Sequence, residues 1–523
     1  MAMKQPDLFD AQPSMAPEGW VPQAPPLLNG ETVICLDCET TGLKWWDGDK
    51  PVGLAYLLPA SGRKGYLPFG HRGGGNLPES AVREWAHREL RGVHVENLNT
   101  RFDVHMMREW GVDLEAQGCT FGDVAHYAAL LDDTRTTFTL EDLGQDYLGQ
   151  GKIKLGLRDG SRIGDMAAWE VEPYAVRDVE LVAALLEVFR PKILAEDLLD
   201  VLKLEQDIIP VVLEMEKNGT YLDLELLDVW RDRATFELQD ALWTVYRTTG
   251  IMPKTPDSPK DLVRVFEKLK LPLTALTATG QPSFTAAVFQ AHMNEPSGVI
   301  KALYHAGQLA DLKSKYLDKY AEAVRGDGWL RFNLHQLKYG RSEDDYGGTV
   351  SGRFSAAGDK FGGYNPQQVV AVEKQVERGW CPEFVVRKLF IPKNGSWLAA
   401  DATQIESRLF AHSANSPDIL EVYRHNPDAD YHQVVKDLLN NPRLNRKLTK
   451  NVNFAKIYGA GLTKFAFMTG YVTEQEYKET INRFEGRPNV NQLLYESAYG
   501  EKFRAAFDVN NAYDAKFPMV KPL

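Results

Sequence analysis

Apolar positions along the chain switch period near residue 200. Before it, VICLDCETTGL (33–43) and VGLAYLLP (52–59) are short, β-branched and apolar, as strands are, and GYLPFGHRGGGN (65–76) closes with a glycine loop. Helical spacing follows in ESAVREWAHREL, FDVHMMREWG, GDVAHYAALLDD and VRDVELVAALLEVFRPKIL. Strands mixed with helices over 29–195 predict an α/β domain. Helical spacing then dominates over 196–345, broken by the turn-rich TATGQPS (277–283). In 346–416, SWLAAD predicts a strand running into the helix IESRLFAHSA, and 417–523 reads as mostly helical.

Composition narrows the class. A chain of 523 residues with 44% apolar content holds three or four domains. No run of about 18 apolar residues occurs, which predicts no membrane partner, and no basic-then-apolar leader opens the chain. Four cysteines make no disulfide framework, so a reducing cytoplasm is the expected location. The net charge of -12 argues mildly against a protein coated in nucleic acid, although metal-binding carboxylates also count as negative. Residues 1–28 read as a disordered tail, its second half a proline-rich tether. Within it, Gln5 to Phe9 (QPDLF) resembles the short peptide by which bacterial replication proteins hold the sliding clamp, which makes a host clamp a candidate partner.

The chemistry begins inside VICLDCETTGL. Cys35 and Cys38, three apart on a strand, point to opposite faces and cannot easily share an ion, and no histidine pair or second C-x-x-C completes a zinc site. Small buried thiols are the plainer reading. Asp37 and Glu39 do share a face. Alone they could be a solvated edge. They are followed by NTRFD, with Asn99 and Asp103, and by YAVRD, with Tyr174 and Asp178 one helical turn apart. The series D-x-E, N-x-x-F-D, Y-x-x-x-D resembles the three motifs of DEDD proofreading exonucleases of the tyrosine subclass. That resemblance implies an RNase H-like domain in which Asp37, Glu39, Asp103 and Asp178 hold two Mg²⁺ ions (Mn²⁺ a substitute), Tyr174 orients the attacking water and Asn99 touches substrate. Hard Mg²⁺ prefers oxygen ligands, and two ions about 4 Å apart stabilise both the attacking and the leaving oxygen of a phosphodiester.

A second constellation lies in LNRKLTKNVNFAKIYGAG, where Arg446, Lys450, Phe454 and Tyr458 recur every four residues. On a helix this is one stripe, basic then aromatic, fit for phosphates and a base; the plainer alternative is a surface helix with half-buried rings. Asp401, Gln404, Glu406 and Arg408 in WLAADATQIESRLFAH change the balance. The two segments resemble motifs A and B of family A DNA polymerases, with Ala402 and Thr403 where D-Y-S-Q-I-E-L-R has Tyr-Ser. SGRFSAAGDKFGGYNPQQ resembles a family segment touching primer-template DNA, and supplies Arg353, Asn365 and Gln367. RKLFIP and DADYHQ match at Arg387 and His432, and LKSKYLDKY resembles the lysine-bearing thumb tip with Lys313 and Lys315. GQDYLGQ (144–150) lacks the lysine a P-loop requires.

The resemblance runs from about residue 30 onward. It implies a multidomain α/β and α+β chain: exonuclease (29–195), thumb (196–345), partial palm (346–416) and fingers (417–523). Asp401 would hold the catalytic metals and Glu406 would crowd the sugar 2′ position. His432, Arg446 and Lys450 would bind the dNTP triphosphate, Phe454 would stack on the nucleotide and Tyr458 would guard the template. The family's H-D-E motif C, with its second metal-binding aspartate, does not occur. The expectation is therefore a replicative, phage-type DNA polymerase whose missing palm part either comes from a second polypeptide or is lost by truncation. The alternatives are a standalone 3′-5′ exonuclease with a DNA-gripping remnant, and a non-enzymatic scaffold on clamp or primer-template.

Overall fold

A computed structural model describes residues 15–155, 160–273, 275–277, 279–324, 326–337, 352–357, 364–484, 487 and 489–517. The clamp-like peptide Gln5 to Phe9 lies outside the described residues. The chain forms two compact units, 1–396 and 397–523. Residues 346–416, expected as one domain, are therefore divided between them.

The first unit opens with β1 (Val33–Thr40), β2 (Pro51–Leu58), β3 (Arg63–Pro68), α1 (Glu79–Glu89), β4 (His94–Asn97), α2 (Thr100–Glu109), β5 (Thr120–Asp123), α3 (Val124–Leu131), α4 (Leu140–Leu148) and α5 (Ala168–Ala195). The sheet order is β3-β2-β1-β4-β5, with β1–β2 and β2–β3 antiparallel and β1–β4 and β4–β5 parallel. β1 is central and covered on both faces, so it reads as an almost continuous apolar run. Ile34, Leu36 and Cys38 pack with Trp85, Val104 and Trp110 on one side. Cys35 packs with Val179, Leu186 and Phe189 of α5 on the other. The two-residue strand period puts Asp37 and Glu39 on the Cys35 side, toward α5.

Residues 15–28 are irregular, as their prolines require, yet they are not a free tether. The Trp20 indole donates to Glu172 Oε2 at 2.6 Å and the Trp85 indole donates to the Pro26 carbonyl at 2.6 Å. Leu28 is buried and its N–H donates to Glu89 Oε2 at 2.9 Å. Proline content signalled the missing period; it carried no information about these anchors.

The unit continues through α6 (Leu199–Asn218), β6 (Thr220–Tyr221), α7 (Leu224–Thr249), α8 (Pro259–Lys268), α9 (Ala286–Ala291), α10 (Val299–Leu312), α11 (Asp318–Ala323), β7 (Trp329–Leu330), β8 (Asn333–His335), β9 (Ser355–Ala357) and α12 (Val372–Val376). One core joins α6, α7, α10, α11 and the segment 364–390 through Val212, Trp230, Leu312, Tyr320 and Phe384. Lys313 and Lys315 sit on a π-helical turn, Lys313–Leu317, between α10 and α11. Leu312 and Leu317 on either side are fully buried, and the two lysines pair with Asp318 and Asp311 at 3.2 and 2.7 Å.

The second unit contains α13 (Ile405–Ser413), α14 (Pro417–His425), α15 (Tyr431–Leu439), α16 (Arg446–Ile457), α17 (Leu462–Met468), α18 (Glu474–Phe484), α19 (Val490–Glu496) and α20 (Gly500–Lys516) around Tyr431, Phe465, Phe503 and Tyr513. The expected strand SWLAAD does not form: residues 397–402 are irregular and exposed, and no strand occurs among the described residues of this unit. A strand needs a neighbour to satisfy its backbone, and apolar alternation alone does not reveal whether one is there.

Candidate active site

Three carboxylates meet where β1 faces α5. Ligand oxygens of Asp37, Glu39 and Asp178 all lie within 4.8 Å of one another. Glu39 Oε1 and Asp178 Oδ1 are buried and have no hydrogen-bond partner. Bare carboxylate oxygens held this way are costly in a metal-free protein and are the hard donors a divalent cation takes, so the residues fit the expected ions.

Asp103 stands beside this trio with both oxygens engaged. Oδ1 accepts from the Cys38 N–H at 2.9 Å and Oδ2 from Asn97 Nδ2 at 2.6 Å. The same Asn97 amide donates to Asp37 Oδ1 at 3.0 Å, so it bridges two of the four carboxylates. Asn99 caps α2 in the left-handed region (φ 61°), where asparagine is tolerated, and the chain reversal lets Asn97 and Asp103 approach the same place.

Burial sets the electrostatics. It raises the Asp37 carboxyl, against the Asn97 hydrogen bond and Lys152. It pushes Glu39 well up, helped by the charges of Asp37 and Asp178, and raises Asp103, helped by Asp37. Asp178 is pushed up to about 7 by burial and by Asp37, which outweigh the ammonium of Lys152 at 2.6 Å. That ammonium also lies 4.9 Å from the Tyr174 ring centroid. Burial, then Glu39 and Asp178, pushes the Tyr174 phenol up to about 12. The cysteines are settled in the same terms: burial takes Cys35 to about 12 and Cys38 well above its usual range, so neither is a thiolate.

Beside the trio, Asn99 and Lys152 line a cavity of about 520 Å³ together with Trp45, Phe102 and Phe138.

Elsewhere in the first unit, Asn365 and Gln367 act as braces. Asn365 Nδ2 donates to the Ala356 carbonyl, Gln367 Oε1 accepts from the Ala356 N–H at 3.2 Å, and Gln367 Nε2 donates to the Phe354 carbonyl at 2.8 Å. They hold the segment that presents the exposed Arg353. Arg387 is exposed and donates to the Val370 carbonyl at 3.2 Å.

In the second unit the α16 stripe forms as the spacing predicts. Lys450 Nζ is 5.6 Å from the Phe454 ring centroid, and Phe454 lies 6.3 Å from Tyr458 and 5.7 Å from His432. The Tyr458 hydroxyl donates to Glu406 Oε1 at 3.1 Å. Arg446 pairs with Asp430, which caps α15, and His432 Nδ1 lies 2.9 Å from Asn453 Nδ2. Burial, with Arg446 and Lys450 and against the charge of Asp430, lowers the His432 imidazole. Asp401 is in the exposed segment ahead of α13 and does not join this group by any contact described.

A family model for DNA polymerase family A matches residues 226–508. The chain belongs to DNA polymerase family A. It is 27% identical over 467 residues to DNA polymerase DpoZ of Salmonella phage PMBT28, covering 83% of this chain and 71% of that protein. It is 26% identical over 499 residues to DNA polymerase I of Pseudomonas aeruginosa, covering 90% of this chain and 50% of that protein. It is 24% identical over 578 residues to the DNA-directed DNA polymerase of Pseudomonas phage M6, covering 82% of that protein. Among solved structures, the POL domain of Pol1 from M. smegmatis, in complex with DNA primer-template and dNTP, superposes with a TM-score of 0.58 at 20% identity, covering 94% of this chain and 85% of that one. At that identity the likeness concerns the fold. The carboxylate trio lies outside the matched range 226–508.

Two residues of this family A chain's carboxylate site escaped the sequence. Asn97 stands on β4, in HVEN, with no motif spacing to mark it. Lys152 comes from the loop after α4, where a lysine in KIK carries no signal. No helix among the described residues is long and apolar enough to cross a membrane.

Proposed function

We propose that residues 29–195 of this family A polymerase are a 3′-5′ exonuclease that removes nucleotides from a DNA 3′ end. The observation that carries the reading is the trio Asp37, Glu39 and Asp178, with two oxygens buried and unpartnered. These three, with Asp103 alongside, would hold the divalent ions. When bound, such ions supply Lewis-acid stabilisation of the phosphodiester and a more acidic water. The chain's own groups do the rest. Asn97 holds Asp37 and Asp103 side by side through its amide. Lys152 offsets part of the negative charge that an incoming phosphodiester meets. Tyr174, kept as a phenol, orients water by hydrogen bonding rather than by taking a proton. Asp37→Ala with Glu39→Ala should abolish digestion of a 3′-labelled oligonucleotide and leave duplex binding intact; retained digestion removes the assignment.

For template-directed synthesis, α16 is proposed as the dNTP helix. Arg446, Lys450 and His432 take the triphosphate, Phe454 stacks on the base, Tyr458 faces the template and Glu406, fixed by the Tyr458 hydroxyl, screens the sugar 2′ position. Asp401 is the proposed metal ligand of that centre. Trp397 and Leu398, 60% and 92% exposed, support a complementary β-strand that covers the 397–402 segment and supplies a second carboxylate. Nucleotide incorporation by this chain alone would count against that requirement. Arg353 and Arg387 are proposed contacts to primer-template DNA, with Lys313 and Lys315 on its backbone. Gln5 to Phe9 is proposed to hold a host sliding clamp. Deleting residues 1–10 should lower processivity only when clamp is present, and an equal loss without clamp excludes it.

A further inference from the structure

The exonuclease chemistry proposed above does not use the buried carboxylate of Glu216. Glu216, on α6, is 2% exposed. Its Oε1 accepts from Arg101 Nη1 at 2.6 Å and from the Leu334 N–H of β8 at 2.8 Å, and its Oε2 lies 3.0 Å from His105 Nε2. Arg101 Nη2 donates to the Leu334 carbonyl at 2.7 Å, which closes the network. The His105 ring is stacked on Trp45, with centroids 4.0 Å apart and planes 5° from parallel.

Arg101 and His105 are one turn apart on α2 and share a face. Asp103 lies between them, about 200° round the helix, on the face that meets Cys38 and Asn97. The helix is thus gripped on one side by Glu216 and on the other by the sheet. We propose that Glu216 is a positioning residue for the exonuclease centre: from α6 it clamps α2 through Arg101 and His105 and so fixes Asp103 against Asn97 and Asp37. The proposal rests on the exonuclease reading. Its physical basis is the buried charge. With the carboxylate gone, a guanidinium whose side chain is 16% exposed has no counter-charge and must shift to reach water, taking α2 with it. Metal ligands tolerate displacements of only a few tenths of an ångström, so a small shift is enough.

The test is calorimetric titration of the full chain with MnCl₂, beside thermal unfolding and duplex-DNA binding. Asp37→Ala with Glu39→Ala identifies the ions of this centre by removing them. Glu216→Ala should weaken those same ions about 10-fold or more, the size of an outer-shell loss, with duplex binding retained. Glu216→Gln, which keeps one oxygen acceptor, should fall between. Wild-type Mn²⁺ affinity in Glu216→Ala overturns the proposal even if the melting temperature falls, since a purely structural role predicts that pattern. If Asp37→Ala with Glu39→Ala titrates like wild type, the exonuclease reading itself fails and takes the clamp with it. Should Glu216→Ala not fold, Glu216→Gln and Arg101→Lys decide, and unchanged Mn²⁺ affinity in both overturns the proposal.

Discussion

Asn97→Ala removes two charge-assisted hydrogen bonds with one change and leaves every ligand residue in place. The amide, 1% exposed, donates to Asp103 at 2.6 Å and to Asp37 at 3.0 Å. A hydrogen bond to an ionised group contributes about 1.5–3 kcal/mol, so the ionised pair loses about 3–6 kcal/mol of support. Without metal, burial already favours the neutral form of both carboxyls, which eases the loss. The protein should therefore still fold. Mg²⁺ needs both groups ionised, and the loss appears there: about 1.4 kcal/mol is tenfold, which sets a ceiling of roughly 10²–10⁴-fold. Relaxation of the neighbours brings this down to the 10–100-fold typical of second-layer partners, about 1.4–2.7 kcal/mol. The assay is nucleotide release from a 3′-labelled single strand across a Mg²⁺ series. Half-saturation should move up 10–100-fold, with the rate recovering to within severalfold at saturation. A variant that half-saturates at the wild-type concentration, with native melting, refutes the bridging role.

Other outcomes follow from the same physics. Asp178 has a folded pKa near 7 against an unfolded 3.8, so the folded state binds its proton more tightly. Its stabilising contribution is full below about pH 4 and is lost as pH rises through 7. In chelator, the melting temperature should fall between pH 5 and 8, Asp178→Asn should flatten that slope, and Mg²⁺ should restore stability at pH 8. Arg446→Ala should weaken binding of a fluorescent dNTP about tenfold or more, because a charge-assisted contact to phosphate is lost. Unchanged affinity would exclude α16 as the triphosphate helix.

What the sequence made legible was local. Two-residue spacing placed Asp37 and Glu39 on one face of β1, and four-residue spacing gathered Tyr174 with Asp178 and drew the α16 stripe. The unread parts depend on distant partners. Asn97 matters only because β4 pairs in parallel with β1, and Lys152 only because a loop returns it to Asp178. Asn365 and Gln367 sit in a segment similar to DNA-touching stretches of the family, yet their amides brace backbone within the chain. SWLAAD has the pattern of a strand without a neighbour to pair with, and Trp20 and Leu28 anchor a stretch whose prolines suggested freedom.

The two thiols of β1 have a practical use. All four cysteines are buried and, at Cys35 and Cys38, kept protonated, so alkylating reagents react with them only when the surrounding core opens. Their modification rate under native conditions is a clock for that opening, needing no engineered probe. Because Cys35 and Cys38 point into opposite cores, a mass spectrum that separates the two adducts tells which face of the sheet is released first.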